Sequence, residues 1–443
     1  MESVELLRFL TMGCRTNGVS DYWGVGISGR PLFLLPVFRH VACNFPSHSL
    51  RSPRRIQNNC INASRDFVNL EIMLKSAILF VFAILFVHFI WHKHHGLDFM
   101  RHIFNHTPGP CKIISGKGIG YEDMETLPNG LTLITSGLVF PPFSSGSKEY
   151  VIRNLGTKGR IYLFDFNQPD KGIEELKIIG DQFNQSDFAP HGIGLWHDNK
   201  DKVIVSVVNH GSTGDTIEQF QFIAKDSQLL HLKTFRDPAI HFVNDVAMDS
   251  ETSFYFTNYA YYMSHLLHTL EMLWPLRYGN LMYYDGKKFH KQDDGLVTAN
   301  GLIVSHYKKY LYVFESVTKK FHSYRRHANG TVTEHQKVDL HTIPDNPTLD
   351  KDGNILVGAH PVGWKLLLHI DNPEVPAPSQ VIKLHIRDGA VTKVTELLSD
   401  NGHTLHGSSV ASMYKDGMLV GTVVHKLMYC QVLYAQQKDV EYL

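Results

Sequence analysis

The sequence predicts an all-β fold preceded by one transmembrane helix. A pattern of strand, turn and strand recurs six times after residue 110, and one long apolar run precedes the first copy. The chain has 443 residues, 43% of them hydrophobic, which is enough to bury a large core. Lysine plus arginine balance aspartate plus glutamate at 43 each. The composition therefore gives no basic face of the kind that binds nucleic acid.

Residues 1–72 are predicted to form a basic, mostly disordered tail. They include NFPSHSLRSPRRIQNNCINASR, a stretch rich in serine, arginine, asparagine and proline, in which no helical or strand period persists. Eight arginines precede Phe67. Such a segment has too little apolar surface to pack a core of its own.

An apolar run follows the tail. From Ser76 to Trp91 the only polar residues are Ser76 and His88. With Met73 and Leu74 the run approaches the roughly 20 residues that cross a bilayer as a helix. A cleaved signal peptide is the alternative, but no small-residue cleavage site follows.

The arginine excess lies on the N-terminal side, so the positive-inside rule places that side in the cytosol. We predict a signal anchor over 73–92 and a juxtamembrane linker over 93–107. The rest of the chain is then lumenal or extracellular, at the endoplasmic reticulum or the plasma membrane.

Two further sequence features agree with an oxidising compartment for the C-terminal part. Glycosylation sequons begin at Asn105, Asn184 and Asn329. Of the five cysteines, three precede the helix, while Cys111 and Cys430 follow it. An oxidising compartment permits one disulfide between these two, which would join the start of the soluble part to its end.

The repeats define the predicted architecture. They open near residues 122, 191, 244, 300, 346 and 408, with spacings of 46 to 69 residues. One such unit is the size of a four-stranded propeller blade. We therefore predict a six-bladed β-propeller over 108–435. A sandwich of two sheets is the alternative, although sandwiches rarely repeat over so long a period.

Polar residues occupy one position in these repeats, and in a propeller they would converge on the central axis. They are Glu122, Asp123, His191, Asn244, Asp245, Asn300, Asp345 and Asn346. Four buried carboxylates on one axis would repel each other unless a cation neutralised them. Carboxylate and amide oxygens suit Ca²⁺, whereas zinc would require more histidine or cysteine. We expect central calcium sites.

From about Pro108 to Cys430 the chain resembles the paraoxonases, also called serum arylesterases. The resemblance rests on GYEDMETLPNGLTLITSGL, APHGIGLW, VVNHGSTGDTIEQFQF, VNDVAMD, TANGLIVS, YRRHANGT, PDNPTLD, GAHPVG and GTVVHKLMYC. It implies a six-bladed propeller with two calcium ions in its tunnel, a single disulfide between Cys111 and Cys430, and an uncleaved apolar N-terminus.

The resemblance also implies roles for individual residues. The ligands of a catalytic calcium would be Glu122, Asn244, Asn300, Asp345 and Asn346. A deeper calcium would be held by Asp123, Asp245 and the carbonyl of Ile193. The catalytic dyad would be His191 and His210, and His360 would line the pocket.

The implied activity is calcium-dependent hydrolysis of aryl esters or lactones, with small-molecule substrates. His191 would draw a proton from water, and His210 would orient it or pass the proton on. The sequence has no G-x-S-x-G nucleophile elbow.

The chain departs from the family pattern at two places near the predicted pocket. Where relatives commonly have an Asp-His pair, this chain reads Tyr259-Ala260. Ala359 stands in place of a free cysteine. The first change could alter substrate choice or weaken proton transfer. The alternative function is a membrane-anchored propeller without enzymatic activity, which assists the folding or assembly of ion channels or other membrane proteins.

Overall fold

The computed structural model describes residues 53–114, 116, 118–139, 145–156, 158–198, 200–262, 265–274 and 276–433. The described residues divide after Ile78 into two units. Most of the predicted tail, residues 1–52, lies outside the described residues.

The described helices are α1 (Pro53–Gly96), α2 (Ser145–Leu155), α3 (His265–Leu273) and α4 (Gly363–Asp371). Short 3₁₀ turns occupy Pro169–Lys171, Gln185–Asp187 and Ala224–Asp226.

Helix α1 begins earlier than the sequence predicts. It starts at Pro53, so residues 53–72, which the sequence assigns to the tail, are helical in the structure. A proline fits the first turn of a helix, and helix propagates readily from a strongly helical apolar segment into its flanks. Within α1, Val68–Phe89 is long and apolar enough to cross a membrane, with mean hydropathy 2.4. This range overlaps the predicted span over 73–92.

The strands of the first half are β1 (Cys111–Ile114), β2 (Tyr121–Thr126), β3 (Leu131–Ser136), β4 (Arg160–Asp165), β5 (Ile173–Glu175), β6 (Lys177–Ile179), β7 (Pro190–His197), β8 (Val203–Gly211), β9 (Gly214–Ile223), β10 (Gln228–Phe235), β11 (Val243–Met248) and β12 (Phe254–Asn258). Those of the second half are β13 (Gly279–Tyr284), β14 (Phe289–Leu296), β15 (Ala299–Val304), β16 (Tyr310–Glu315), β17 (Lys320–Arg326), β18 (Val332–Asp339), β19 (Ile343–Leu349), β20 (Ile355–His360), β21 (Ser379–Arg387), β22 (Ala390–Asp400), β23 (Ser408–Tyr414), β24 (Gly417–Thr422) and β25 (Leu427–Gln431).

These strands pair mainly with their neighbours in sequence. Strands β11–β14, β15–β18 and β19–β22 form three four-stranded sheets, and β7–β10 form a fourth to which β6 adds a parallel edge. The remaining strands form an eight-stranded sheet, in which a single residue pair, Tyr121 with Thr422, joins β2–β5 to the group β23, β24, β25 and β1.

The N-terminal strand completes the C-terminal group of strands. Strand β1 pairs antiparallel with β25, and Cys111 lies opposite Cys430. A disulfide joins the two cysteines, as the sequence predicts. The two ends of the β-fold are thus held together by both hydrogen bonds and a covalent bond.

The first strand of each group contacts the first strand of the next. The contacts run from β2 to β7, β11, β15, β19 and β23, and from β23 back to β2. This closed ring contradicts the two-sheet sandwich and agrees with an all-β propeller. The count of six blades stays a prediction, because hydrogen bonding merges two of the groups into one sheet.

The core fills the spaces between neighbouring groups of strands. Leu133 and Ile161 of one group pack with Val205 and Phe220 of the next, all fully buried. Similar clusters lie between the other groups. The ring is therefore rigid around its axis, where the predicted site residues lie.

Candidate active site

Each of the six first strands contains an irregularity in its pairing with the second strand. The register shifts lie between Tyr121 and Met124, Pro190 and Ile193, Val243 and Val246, Ala299 and Leu302, Pro344 and Pro347, and Ser408 and Val410. A bulge removes residues from the ladder and redirects their side chains.

The residues inside these bulges include eight of the predicted site residues, whereas Ile193, His210 and His360 lie outside them. The bulge residues are Glu122 and Asp123, His191 and Gly192, Asn244 and Asp245, Asn300 and Gly301, Asp345 and Asn346, and Ser409. Six bulges on neighbouring first strands bring these residues together at one level of the ring.

Glycines allow the first strands to approach each other at this level. A Cβ atom on Gly192 would lie 2.4 Å from Asp245 Oδ1 and 2.5 Å from Asp245 Cα. A Cβ atom on Gly301 would lie 2.7 Å from the Asp345 carbonyl oxygen and 2.7 Å from Asn346 Cα. Neither site has room for a side chain, so the bulges depend on glycine for their close contact.

Two buried aspartates link neighbouring first strands of the ring. Asp123 accepts hydrogen bonds from the backbone N–H groups of Met124 and Ile193, both at 2.8 Å. Asp245 accepts from Val246 at 2.7 Å and from Leu302 at 2.9 Å.

Their electrostatic surroundings disfavour the charged forms. Burial, and next the charge of Glu122, raises the pKa of Asp123 well above its ordinary value. Burial, and next the charge of Asp123, does the same to the pKa of Asp245. A cation beside them would compensate for both effects.

Glu122 and Asn346 are in direct contact. The Asn346 amide donates to Glu122 Oε1 at 2.7 Å and to the Glu122 carbonyl at 3.1 Å. Burial, and next the neighbouring Asp345 charge, raises the pKa of Glu122 well above its ordinary value. Asp345 itself is hydrogen-bonded, because its Oδ2 lies 2.8 Å from Nε2 of the buried His360.

Three buried oxygens of this group have no hydrogen-bond partner among the residues that the structure describes. They are Glu122 Oε2, Asn244 Oδ1 and Asn346 Oδ1. An unsatisfied buried acceptor costs about 1–3 kcal/mol, so three on one axis require a donor or a cation. All three belong to predicted calcium ligands, and an all-oxygen set fits Ca²⁺.

Two further observations concern the make-up of the predicted calcium ligand sets. Within the described ranges, no three histidine, cysteine, aspartate or glutamate side chains form a metal site by themselves. The predicted sets therefore depend on amide and backbone oxygens. Asn300 Oδ1 accepts a hydrogen bond from Gly301 N at 2.7 Å, so this predicted ligand already has one partner.

The predicted dyad is in hydrogen-bonding contact. His191 Nδ1 lies 2.9 Å from His210 Nε2, and His191 Nε2 lies 3.4 Å from Glu122 Oε1. Burial lowers the pKa of His191 to about 4, although the charges of Asp345 and Asp215 oppose this. The ring is therefore neutral at neutral pH and can accept a proton.

A third member of this chain of contacts, Asp215, was missed by sequence reasoning. Its Oδ1 lies 2.8 Å from His210 Nδ1. The signal was present in VVNHGSTGDTIEQFQF, because Gly211 pairs with Gly214 around a two-residue turn. Counting outwards from such a turn places His210 opposite Asp215.

The departures from the family pattern lie close by. The Tyr259 ring packs against Phe242 and His268, with centroids 5.4 and 5.8 Å away. Burial, and next the charge of Asp215, raises the pKa of Tyr259. Ala359 is fully buried beside His360. Because the residue is alanine, this position offers no thiol.

A family model described as Arylesterase matches residues 103–432. Serum paraoxonase/arylesterase 1 of Homo sapiens is 37% identical over 323 residues, covering 73% of this chain and 88% of the human protein. Serum paraoxonase/lactonase 3 of Rattus norvegicus is 36% identical over 333 residues, covering 75% of this chain and 91% of the rat protein. With a match over this much of the chain, the protein belongs to the arylesterase family.

Proposed function

We propose that this protein is a membrane-tethered, calcium-dependent hydrolase of aryl esters or lactones. Its family includes proteins named for arylesterase and lactonase activity, which supports ester or lactone hydrolysis in general. The observation that carries the finer proposal is the 2.9 Å contact between His191 and His210, next to a carboxylate with an unsatisfied buried oxygen, Glu122 Oε2.

The predicted ligand sets supply two cation sites in this proposal. The catalytic ion would be held by Glu122, Asn244, Asn300, Asp345 and Asn346, and the deeper one by Asp123, Asp245 and the Ile193 carbonyl. When bound, calcium supplies Lewis-acid polarisation of a substrate carbonyl. The positive charge of the ion would also offset the cost of burying the ionised carboxylates.

His191 and His210 accept the proton that the attacking water loses. His191 accepts a proton from a water molecule as the water oxygen bonds to the substrate carbonyl carbon. His210, within hydrogen-bonding distance, orients the His191 ring and receives positive charge through the shared hydrogen bond. The alcohol or phenol oxygen then leaves and takes up a proton, which yields the acid and the alcohol. Neither step requires a covalent enzyme intermediate.

The proposed location follows from α1 and from the exposed sequons. The apolar span Val68–Phe89 supports a membrane tether. Asn105, Asn184 and Asn329 are all exposed, and the Cys111–Cys430 disulfide is compatible with a lumenal or extracellular propeller.

Hydrolysis of phenyl acetate and of a set of lactones, before and after calcium chelation, tests the proposed function. We expect turnover of at least one substrate class, and we expect the chelator to abolish it. If turnover continues after calcium is fully removed, the protein is a hydrolase but its activity does not depend on calcium.

A further inference from the structure

Both carboxylate oxygens of Asp215 are engaged. Asp215 begins the second arm of the β8–β9 hairpin, where it lies opposite His210. Its Oδ1 lies 2.8 Å from His210 Nδ1, and its Oδ2 accepts the backbone N–H of Val243 at 2.9 Å. Its side chain is only 11% exposed. The Val243 bond fixes the orientation of the carboxylate toward the histidine.

This arrangement determines which ring nitrogens carry protons. An ionised carboxylate can only accept, so a neutral His210 ring donates from Nδ1 and accepts at Nε2. His191 must then donate from Nδ1 across the 2.9 Å contact. The lone pair of neutral His191 is thereby placed on Nε2, the nitrogen that lies 3.4 Å from Glu122 Oε1.

The carboxylate is suited to remain ionised. Burial by itself would raise the pKa of Asp215, but the His210 ring and the hydrogen bonds from His210 and Val243 hold it below its ordinary value. A buried anion next to His210 also stabilises positive charge that arrives on that ring.

We propose that Asp215 is a positioning residue, which sets the tautomers of His210 and His191 so that His191 Nε2 is the basic atom. The inference rests on the proposed function, because it assigns a task within that hydrolysis. Asp215 acts through His210 and does not touch the substrate.

The hairpin has other support. Gly211 pairs with Gly214 at its tip, and Asp187 Oδ1 accepts the N–H of Ser212 at 2.8 Å. The bond from Asp215 to His210 is therefore not what closes the turn. Asp187→Asn is a matched control, since it alters a carboxylate that bonds to the same hairpin from the 3₁₀ turn Gln185–Asp187 and is not one of the dyad's hydrogen-bond partners.

Asp215→Asn provides a sharp test. The N–H of Val243 still needs an acceptor, so the asparagine oxygen turns toward Val243 and its NH₂ group faces His210 Nδ1. His210 must then accept at Nδ1 and donate from Nε2. His191 accepts in turn at Nδ1 and carries its proton on Nε2, which removes the base.

We expect Asp215→Asn in the full chain to lower kcat for ester or lactone hydrolysis by about 10²–10⁴-fold, with little change in KM or in melting temperature. Asp187→Asn should keep the wild-type kcat. Adding Asp215→Asn to His210→Gln should lower kcat no further, since the aspartate acts through that ring. A wild-type kcat in Asp215→Asn, or full additivity with His210→Gln, would overturn the inference.

A second measurement is independent of turnover and of the variant's folding. Nitrogen NMR of the histidine rings, in full-length protein with labelled histidine and in detergent, reports their tautomers. His191→Gln and His210→Gln assign the signals. Wild-type His210 should be protonated at Nδ1 and unprotonated at Nε2, and the reverse would refute the assignment. If the wild type shows the expected tautomers but hydrolyses neither substrate class, the proposed function is wrong and the tautomer assignment still holds.

Discussion

Asn244 and Asn300 occupy the same position in their strands, yet their side-chain oxygens have different surroundings. Asn244 Oδ1 is buried and has no hydrogen-bond partner within the described part of the chain. Asn300 Oδ1 accepts from Gly301 N, and the Asn300 amide donates to Ser316 Oγ, both at 2.7 Å. The Asn244 oxygen therefore makes no hydrogen bond among the described residues, whereas the Asn300 oxygen stabilises its own strand through one.

Substitution of the two asparagines should therefore have different consequences. Asn244→Ala should weaken calcium binding while leaving the melting temperature in a chelator unchanged, because it removes only an unsatisfied acceptor. Asn300→Ala should weaken calcium binding and also lower the chelated melting temperature, because each lost hydrogen bond contributes about 0.5–1.5 kcal/mol.

Thermal melts with and without a calcium chelator make this comparison. For the wild type, calcium at one hundred times its dissociation constant should add about 2.7 kcal/mol to the free energy of unfolding. Identical wild-type melts under both conditions would contradict a structural calcium. Asn300→Ala behaving like Asn244→Ala in the chelator would contradict the distinction drawn between them.

At the scale of the element, the bulge in each first strand is the unit that builds the site. In the sequence, turn chemistry and alternation mark where each strand begins, and the polar residues stand at those positions. The sequence does not reveal the bulges, because a register shift depends on the partner strand and not on local composition. The start of α1 at Pro53 was missed for a related reason, since a polar flank gives no helical period by itself.

Gly301→Ala tests the role of close strand contact. The added Cβ would meet the Asp345 carbonyl and Asn346 Cα at 2.7 Å, so it must displace two predicted ligands. We expect a loss of about 1–3 kcal/mol in the free energy of unfolding together with weaker calcium binding.

Gly156→Ala is the matched control for this substitution. Gly156 has φ +73°, and a Cβ there would meet nothing within 4 Å. Its alanine variant should lose stability through backbone strain and bind calcium as the wild type does. Calorimetric titration would separate the two cases, and equal calcium affinity in both variants would show that the strand contact does not position the ligands.

At the scale of the whole molecule, the β-fold is a ring closed by its first and last strands, and an apolar helix precedes it in the described sequence. The cysteine pair was predictable, because only two cysteines follow the apolar run. Asp215 could also have been predicted from the sequence, because the turn between Gly211 and Gly214 places it opposite His210. The orientation across the membrane still rests on the arginine excess before the helix.

Glycosylation tests that orientation. Asn329 is exposed in the turn between β17 and β18, where its side chain bonds only to Thr331 among the described contacts. We expect glycosidase treatment of the protein from a eukaryotic cell to reduce its apparent mass, and Asn329→Gln to remove part of that shift. An unglycosylated protein with free thiols at Cys111 and Cys430 would place the propeller in the cytosol.

Hydrolysis itself tests the central claim most directly. Initial rates on phenyl acetate and on lactones should be measured for the full-length wild type, for His191→Gln and for His197→Gln, an exposed histidine at the end of the same strand. The wild type should exceed buffer on at least one substrate class, with His197→Gln unchanged and His191→Gln slower by about 10²–10⁴-fold. A wild type no faster than buffer on both classes would contradict the hydrolase and favour a binding function for the propeller.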